Sequence, residues 1–215
     1  VRRGATVRLA TVRVNNEEQT AIIRNDEVVL LRHLNERLNK QYPLSLLPLI
    51  ETDLLQSLKR DCASLLQEDW DAVQKFSLDE VHFVAPYRNP THIFGVGMNY
   101  IEKAQDLQAT PVDHAPVCFL KPATSLIGMN ESIVLPSVSK RVTAEGELSL
   151  IIGKRCFEVS EEEALDYVIG YTASLDLTAS DIHAQNPRFI QMSKLCKGFF
   201  SFGPEINLLG HASEL

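Results

Sequence analysis

The chain has 215 residues, 45% of them hydrophobic and 23% charged, and its formal net charge is −7. This composition is typical of a soluble globular protein with one sizeable core, and the negative charge argues against a nucleic-acid partner, because phosphate contacts require clustered Lys and Arg. No apolar run approaches the roughly 18 residues of a membrane helix and no signal peptide is evident, so we expect a cytoplasmic protein with no membrane partner.

Residues 1–85 are predicted to form a small N-terminal α/β domain. Alternating apolar residues and turn signals predict strands in its first part, at Val7–Val14, Thr20–Ile23 and Val28–Leu31. Apolar residues spaced three and four apart predict helical segments after them, at Leu46–Glu51, Asp53–Leu66 and Trp70–Phe76. No catalytic or binding residue is predicted in this part of the chain.

A proline-bearing connector, Ala85–Pro90, marks the boundary to a second domain, residues 86–215, because proline cannot donate to a sheet ladder and the residue before it avoids helix. The segment Ile93–Tyr100 then reads as a buried strand that ends in a turn. Its Gly95 and Gly97 permit close approach of other backbone or of a ligand. The third glycine of a dinucleotide fingerprint is missing, so a nucleotide-binding loop is not predicted.

Short apolar runs follow at Val117–Leu120 and Ser132–Leu135. Within residues 156–170 a short helix is predicted, because Ser160 can cap its start while Glu163 reaches back to the same turn.

Two acidic residues, Glu145 and Glu147, are candidate functional residues of the second domain. Side chains alternate along a strand, so both project from one face while leucine and isoleucine side chains project from the other. Two carboxylates at one site repel each other unless a cation lies between them, and hard oxygen donors favour Mg²⁺, Mn²⁺ or Ca²⁺. Asp176, in the apolar strand-like segment Tyr171–Thr178, is the natural third ligand, because a charge there is costly without a partner. The alternative is a solvated acidic face on a half-exposed strand.

Several short motifs occur in a fixed order in this second domain. They are Gly97–Tyr100, Phe119–Pro122, Glu145–Leu148, Ile152–Lys154, Gly170–Thr172, Asp176–Asp181, Lys194 and Gly203–Pro204. In this order they resemble the fumarylacetoacetate hydrolase superfamily, whose members include acylpyruvate hydrolases, oxaloacetate decarboxylases and isomerase/decarboxylases of aromatic catabolism. The resemblance covers roughly residues 86–204 and implies an α+β fold with a mixed β-sheet roll, usually in a homodimer.

The resemblance also implies roles for single residues. Glu145, Glu147 and Asp176 become the metal ligands, and Lys194 becomes the active-site lysine, because it begins the family segment that runs into Gly-Pro. Lys121 is left out of the catalytic set.

The chain departs from the family at the position of its water-activating residues. Family hydrolases carry a His and a Glu shortly after the Asn-Tyr pair, and here Lys103 and Asp106 take those places in the catalytic set. A lysine with an ordinary pKa is protonated at pH 7 and cannot serve as a general base without strong desolvation. His114 or His183 could substitute.

Other departures concern substrate contacts and the end of the chain. Ser180 stands where the family usually shows Arg, and Lys197 where it shows Asp. The family's carboxylate-binding Thr-Gly-Thr-Pro loop does not occur before Leu215, so we expect the catalytic domain to be incomplete at its C-terminus or completed by another chain.

An open divalent-metal site can chelate a small 2-oxo or 1,3-dicarbonyl acid and stabilise its enolate. The sequence therefore predicts a hydrolase dependent on Mg²⁺, or on Mn²⁺ or Ca²⁺, that cleaves a carbon–carbon bond in such an acid. A decarboxylase or isomerase is the first alternative, because neither reaction needs an activated water. The second alternative is a catalytically inert relative that acts as a subunit.

Overall fold

The computed structural model describes residues 7–52, 54–97, 99–100 and 116–209. The strands are β1 (Arg8–Val14), β2 (Glu17–Arg24), β3 (Glu27–Leu30), β4 (Phe76–Ser77), β5 (His82–Phe83), β6 (Ile93–Gly97), β7 (Val117–Lys121), β8 (Leu126–Ile127), β9 (Val142–Ile152), β10 (Val168–Ala179), β11 (Phe200–Phe202) and β12 (Glu205–Leu208). The α-helices are α1 (Leu31–Leu38), α2 (Leu46–Glu51), α3 (Leu54–Ser64), α4 (Gln67–Asp71), α5 (Ser180–Gln185) and α6 (Ile190–Lys194).

One large mixed sheet dominates the described part of the chain. Its order is β4-β3-β2-β1-β12-β10-β11-β8, with β5 added to β1 and β9 added to β10. All of its pairings are antiparallel except that of β11 with β8. Strands β6 and β7 form a separate antiparallel pair. This arrangement confirms the predicted α+β fold with a mixed sheet.

The sheet and its main hydrophobic cluster cross the predicted boundary at residue 85. Strand β12, near the end of the chain, pairs with β1 through Ile206 and Leu9. Both of these side chains belong to one buried cluster with residues of α1 to α4 and with Ile151 and Ile169 of the second half. The division into domains 1–85 and 86–215 therefore stays a prediction, and the two parts share a sheet and a core.

The predicted elements compare well with the structure in the first half and less well later. Strands β1, β2 and β3 and helices α2 and α3 lie where the patterns place them, within a few residues. The segment predicted as helical up to Phe76 ends at Asp71, and Phe76 pairs instead with Val28 of the sheet. Helix α1 was not predicted, because its apolar residues adjoin a strand of the same character.

The helix predicted in the second half is wrong in detail. The helix expected within residues 156–170 is a 3₁₀ turn at Ala164–Tyr167, although the Ser160 hydroxyl does bond to the Glu163 carboxylate at 3.1 Å. The apolar run Ser132–Leu135 forms no strand, and Leu135 is 66% exposed. Both segments lie where the chain crosses the surface between strands.

No helix in the described part of the chain is both long enough and apolar enough to cross a bilayer.

Close packing of β10 against β12 depends on Gly170. A Cβ at this position would lie 2.5 Å from the Asn207 carbonyl oxygen and 2.9 Å from the Ile206 Cγ2. The absence of a side chain therefore lets the strand that carries Asp176 join the strand that reaches β1.

We expect Gly170→Ala to lower the free energy of unfolding by about 1–3 kcal/mol, because the added methyl forces β12 away from β10. Urea denaturation measures this change. Gly146→Ala is the matched control, since a Cβ on Gly146 would meet no atom within 4 Å. Equal unfolding free energies for the two variants would contradict this account of the contact.

Candidate active site

The predicted metal ligands lie on one face of the β9–β10 pair. Glu145 is directly opposite Asp176, and Glu147 is directly opposite Ser174. Side chains opposite each other in an antiparallel pair share a face of the sheet. Exposure alternates along β9, with Glu145 and Glu147 half-buried and their even-numbered neighbours exposed. The two glutamates therefore share one face, as the sequence predicts. Asp176 is buried, with 7% of its surface exposed.

Two lysine ammonium groups hold the buried carboxylate of Asp176. Lys121 Nζ lies 2.6 Å from Asp176 Oδ1. Lys194 Nζ donates a hydrogen bond to Asp176 Oδ2 and also lies 3.7 Å from Glu145 Oε2. Both lysines are 5% exposed. The site therefore pairs each oxygen of one carboxylate with a different cation.

Lys121 is anchored to backbone as well as to Asp176. Its ammonium donates to the carbonyl oxygens of Leu177 at 3.1 Å, Phe199 at 2.7 Å and Lys194 at 3.4 Å. Burial lowers the pKa of the Lys121 ammonium, and the Asp176 carboxylate opposes that shift. This lysine thus joins β10, the C-terminal end of α6 and the loop before β11.

Lys194 has a different environment. Besides its two carboxylates, its ammonium lies 4.4 Å from the centre of the Phe119 ring, a distance suited to a cation–π contact. The ring can take this position because β6 carries Gly95, where a Cβ would lie 2.3 Å from Phe119 Cε2. The sequence predicted that other backbone or a ligand approaches Gly95, whereas the group that approaches is the side chain of Phe119.

Glu147 is the third acidic side chain of the face. Partial burial raises its pKa, a hydrogen bond from the Tyr100 hydroxyl opposes the shift, and the charges of Glu145 and Asp176 add to it. A carboxylate with this environment gains from a nearby cation.

A cavity of about 650 Å³ adjoins Glu147. Its lining includes Ser174, Phe202, Gly203 and Met129, and its size suits a small-molecule ligand. A second depression, of about 470 Å³, is lined by residues such as Arg32 and Arg37 and contains none of the predicted site residues. The cavity beside Glu147 is therefore the better candidate for substrate.

The three carboxylates are oxygen donors of the type that a hard divalent cation prefers. Asp176 Oδ1 is buried and accepts no hydrogen bond of good geometry, although Lys121 Nζ lies 2.6 Å away. This oxygen therefore has a lone pair that can bind a further partner. In the part of the chain that the structure describes, however, no three His, Cys, Asp or Glu side chains converge closely enough to hold a metal ion. The Lys194 ammonium contacts both Asp176 and Glu145 and would compete with a cation bound by that pair.

The predicted site residues divide into two groups. Lys103 and Asp106 lie outside the described residues, as does His114. Glu145, Glu147, Asp176 and Lys194 come together as described above, while their roles in metal binding and catalysis stay predictions.

Lys121 was left out of the predicted catalytic set, but its ammonium lies in the candidate site. The sequence did hold one indication of its role. A charged residue directly follows the apolar run Val117–Leu120, and a buried charge needs a partner of opposite charge. Asp176 is that partner, but only the folded structure brings the two together.

Ser180 and Lys197 are the described positions that depart from the family pattern, and they differ in their surroundings. Ser180 donates both its amide, at 2.9 Å, and its hydroxyl, at 3.1 Å, to the Arg141 carbonyl oxygen. Asp181 accepts from the Ser139 hydroxyl at 2.6 Å and the Lys140 amide at 2.8 Å. These bonds fix the loop before β9, and Lys197 is exposed.

Comparison with known proteins identifies the family. The sequence model of the fumarylacetoacetate (FAA) hydrolase C-terminal family matches residues 92–213. An oxaloacetate tautomerase of Xenopus laevis, described as mitochondrial, is 34% identical over 131 residues, which are 60% of this chain and 41% of that protein.

Two solved structures share the fold. A fumarylacetoacetate hydrolase from Exiguobacterium antarcticum superposes with a TM-score of 0.73 at 24% identity, over 94% of this chain and 67% of its own. Maleylpyruvate hydrolase from Sphingobium sp. SYK-6, solved with manganese(II) and pyruvate, has a TM-score of 0.69 at 26% identity, with the same coverage.

The chain belongs to the fumarylacetoacetate hydrolase family, and this confirms the resemblance drawn from its motifs. It spans about half the length of the curated relatives that it matches.

We expect Asp176→Asn to lower the free energy of unfolding by about 3–5 kcal/mol in metal-free buffer, because it leaves buried ammonium groups without their counter-ion. Chemical denaturation measures the change. Asp166→Asn is the control, since Asp166 is exposed and its replacement is expected to stay within about 0.5 kcal/mol of the parent. An equally small change in Asp176→Asn would show that the two lysines do not depend on this carboxylate.

Proposed function

We propose that this chain carries a divalent-metal-dependent enzyme site that converts a small 2-oxo or 1,3-dicarbonyl acid into its enolate. The observation that carries the proposal is the face of β9 and β10. Three carboxylates share it, a lysine ammonium reaches it from α6, and a cavity of substrate size adjoins Glu147.

Glu145, Glu147 and Asp176 are the residues that would hold the metal, with Mg²⁺, Mn²⁺ and Ca²⁺ as candidates. When bound, the cation would supply a Lewis acid that polarises the substrate carbonyl group. Hard oxygen donors and the free lone-pair capacity of Asp176 Oδ1 support this assignment.

Lys194 is the residue that would meet the substrate. Within the described part of the chain, its ammonium has carboxylate and aromatic partners but no backbone acceptor, so it can turn to a substrate carboxylate or to an enolate oxygen. Lys121 is held by carbonyl groups from three segments and would keep its place. A charge-assisted hydrogen bond from Lys194 Nζ would stabilise the negative oxygen as it forms.

Proton transfer next to the carbonyl group is the reaction that requires least of these residues. In a tautomerisation a base takes one proton from the carbon and an acid gives one proton to the oxygen, so no water molecule is consumed. Lys194 would be that acid. Among the described residues, the hydrogen bonds and ion pairs of Asp176, Lys121 and Lys194 involve no histidine that could activate water. The likeness to an oxaloacetate tautomerase supports the same reaction class.

Carbon–carbon hydrolysis, the reaction first predicted from the sequence, is the second candidate. The structural likeness to a maleylpyruvate hydrolase favours it. This reaction needs an activated water, and Lys103 and Asp106 would have to provide it from the place of the family's His and Glu. A homodimer and a cytoplasmic location stay predictions.

Turnover of a substrate panel tests the proposal. The purified chain would be given enol oxaloacetate and an acylpyruvate with Mg²⁺, Mn²⁺ or Ca²⁺, and the products would be identified by mass spectrometry. Faster metal-dependent decay of the enol without loss of carbon supports the tautomerase, loss of CO₂ supports a decarboxylase, and two acid products support the hydrolase. Metal binding without any turnover would overturn the enzyme proposal in favour of an inert subunit.

We expect Glu147→Ala to weaken Mn²⁺ binding by at least about 100-fold. Loss of a residue that only hydrogen-bonds to a metal ligand already lowers metal affinity by about 10–100-fold, and loss of the ligand itself should cost at least as much. Isothermal titration calorimetry measures the affinity. Glu162→Ala is the matched control, because Glu162 is exposed and lies outside the site. Unchanged Mn²⁺ affinity in Glu147→Ala would refute the ligand assignment.

A further inference from the structure

Helix α6, which ends at Lys194, is fastened to the edge of strand β7. The Leu120 amide donates to Gln191 Oε1 at 3.1 Å, and Gln191 Nε2 donates to the Leu120 carbonyl at 2.5 Å. Within the described residues β7 pairs with β6 on one side and with no strand on the other. The amide side chain of Gln191 thus takes the place of a neighbouring strand at this edge.

Lys121, the next residue of β7, also binds helix α6, from its buried side. Lys121 Nζ donates to the carbonyl oxygen of Lys194 while it pairs with Asp176. Leu120 and Lys121 are consecutive residues of a strand, so one is tied to the exposed side of α6 and the other to its buried end. Two points of attachment fix both the position and the rotation of this short helix.

The attachment decides where the Lys194 ammonium goes. A lysine side chain has four rotatable bonds and loses much conformational entropy when it is fixed. With the backbone of Lys194 held by Lys121, its side chain needs to reach only the second oxygen of the carboxylate that Lys121 already holds. The Phe119 ring, on the same strand β7, closes the remaining side.

We propose that Gln191 and Lys121 are positioning residues: together they clamp α6 onto β7 and deliver the Lys194 ammonium to Asp176. Neither would touch the substrate. The consequence for catalysis rests on the proposed function, whereas the clamp itself does not.

The reactivity of Lys194 toward an amine-specific acylating reagent tests the clamp without substrate or metal. The chain would be labelled at one pH in metal-free buffer, and the rate at each lysine would be read by peptide mass spectrometry. We expect slow labelling of Lys194 in the parent chain and at least about fivefold faster labelling in Gln191→Ala, the change expected from the loss of one or two hydrogen bonds.

Controls separate positioning from general loosening. Lys121 is equally buried but is held by backbone carbonyls, so its labelling should stay slow in Gln191→Ala. Lys140 is exposed and should react at one rate throughout. Gln185→Ala is the matched variant, because Gln185 is an exposed glutamine in the neighbouring helix α5.

Selective acceleration at Lys194 supports the proposal. Unchanged labelling of Lys194 in Gln191→Ala overturns it, and so does parallel acceleration at Lys121, which would mean that the variant merely loosens the fold. Lys121→Met is the second variant and should also expose Lys194; if it does not fold, Gln191→Ala decides alone. Because the labelling needs no turnover, failure of the proposed function and failure of the clamp give different results.

The clamp also predicts a separable kinetic effect if turnover is found. Gln191→Ala leaves Glu145, Glu147 and Asp176 untouched and loosens the ammonium that competes for two of them, so Mn²⁺ affinity should equal or exceed that of the parent chain. The value of kcat/KM should fall by at least about fivefold, since Lys194 no longer meets the substrate in a fixed position. A fall in Mn²⁺ affinity equal to the fall in kcat/KM would contradict a role through Lys194.

Discussion

The buried carboxylate of Asp176 is the interaction on which the rest of the site depends. A charge removed from water is tolerated only when opposite charges and hydrogen bonds replace the lost solvation. Here two lysines supply the charges, one for each carboxylate oxygen. Those lysines come from β7 and α6, so a single residue of β10 determines how two other segments are placed. Without Asp176, Lys121 and Lys194 would be two buried positive charges that lack this shared counter-ion.

The sheet makes this placement rigid. Strand β10 pairs with β9 along one edge and with β11 and β12 along the other, so Asp176 lies on a strand that is fixed from both sides. Through β12 the same strand connects to β1 and to the core that the helices of the first half cover. Sites built on such elements hold their geometry better than sites built on loops. The first half of the chain, in which no catalytic residue is predicted, therefore stabilises the face that carries the candidate site.

The sequence revealed those parts of the site that follow from local periodicity. Alternation along β9 is a property of any strand, so the common face of Glu145 and Glu147 could be predicted from their spacing. Asp176 could be predicted because a charge in an apolar strand needs a partner. Its partners could not be predicted. Lys121 and Lys194 are 55 and 18 residues away from Asp176 along the chain, and no local pattern encodes contacts at such separations. The distances between the three carboxylates were equally impossible to predict from their spacing, because the Lys194 ammonium contacts both Asp176 and Glu145.

The two lysines differ in a way that bears on function. If every group is ionised, three carboxylates and two ammonium groups leave the face with one negative charge, which is suited to attract a cation and not an anionic acid. A bound divalent cation would reverse that sign, and the face would then attract a carboxylate substrate. Lys121 cannot respond to this reversal, because backbone carbonyls hold it. Lys194 can, because its partners are the carboxylates that the cation would also claim. Under the proposed function, Lys194 is therefore the ammonium group that would meet the negative charge of the substrate.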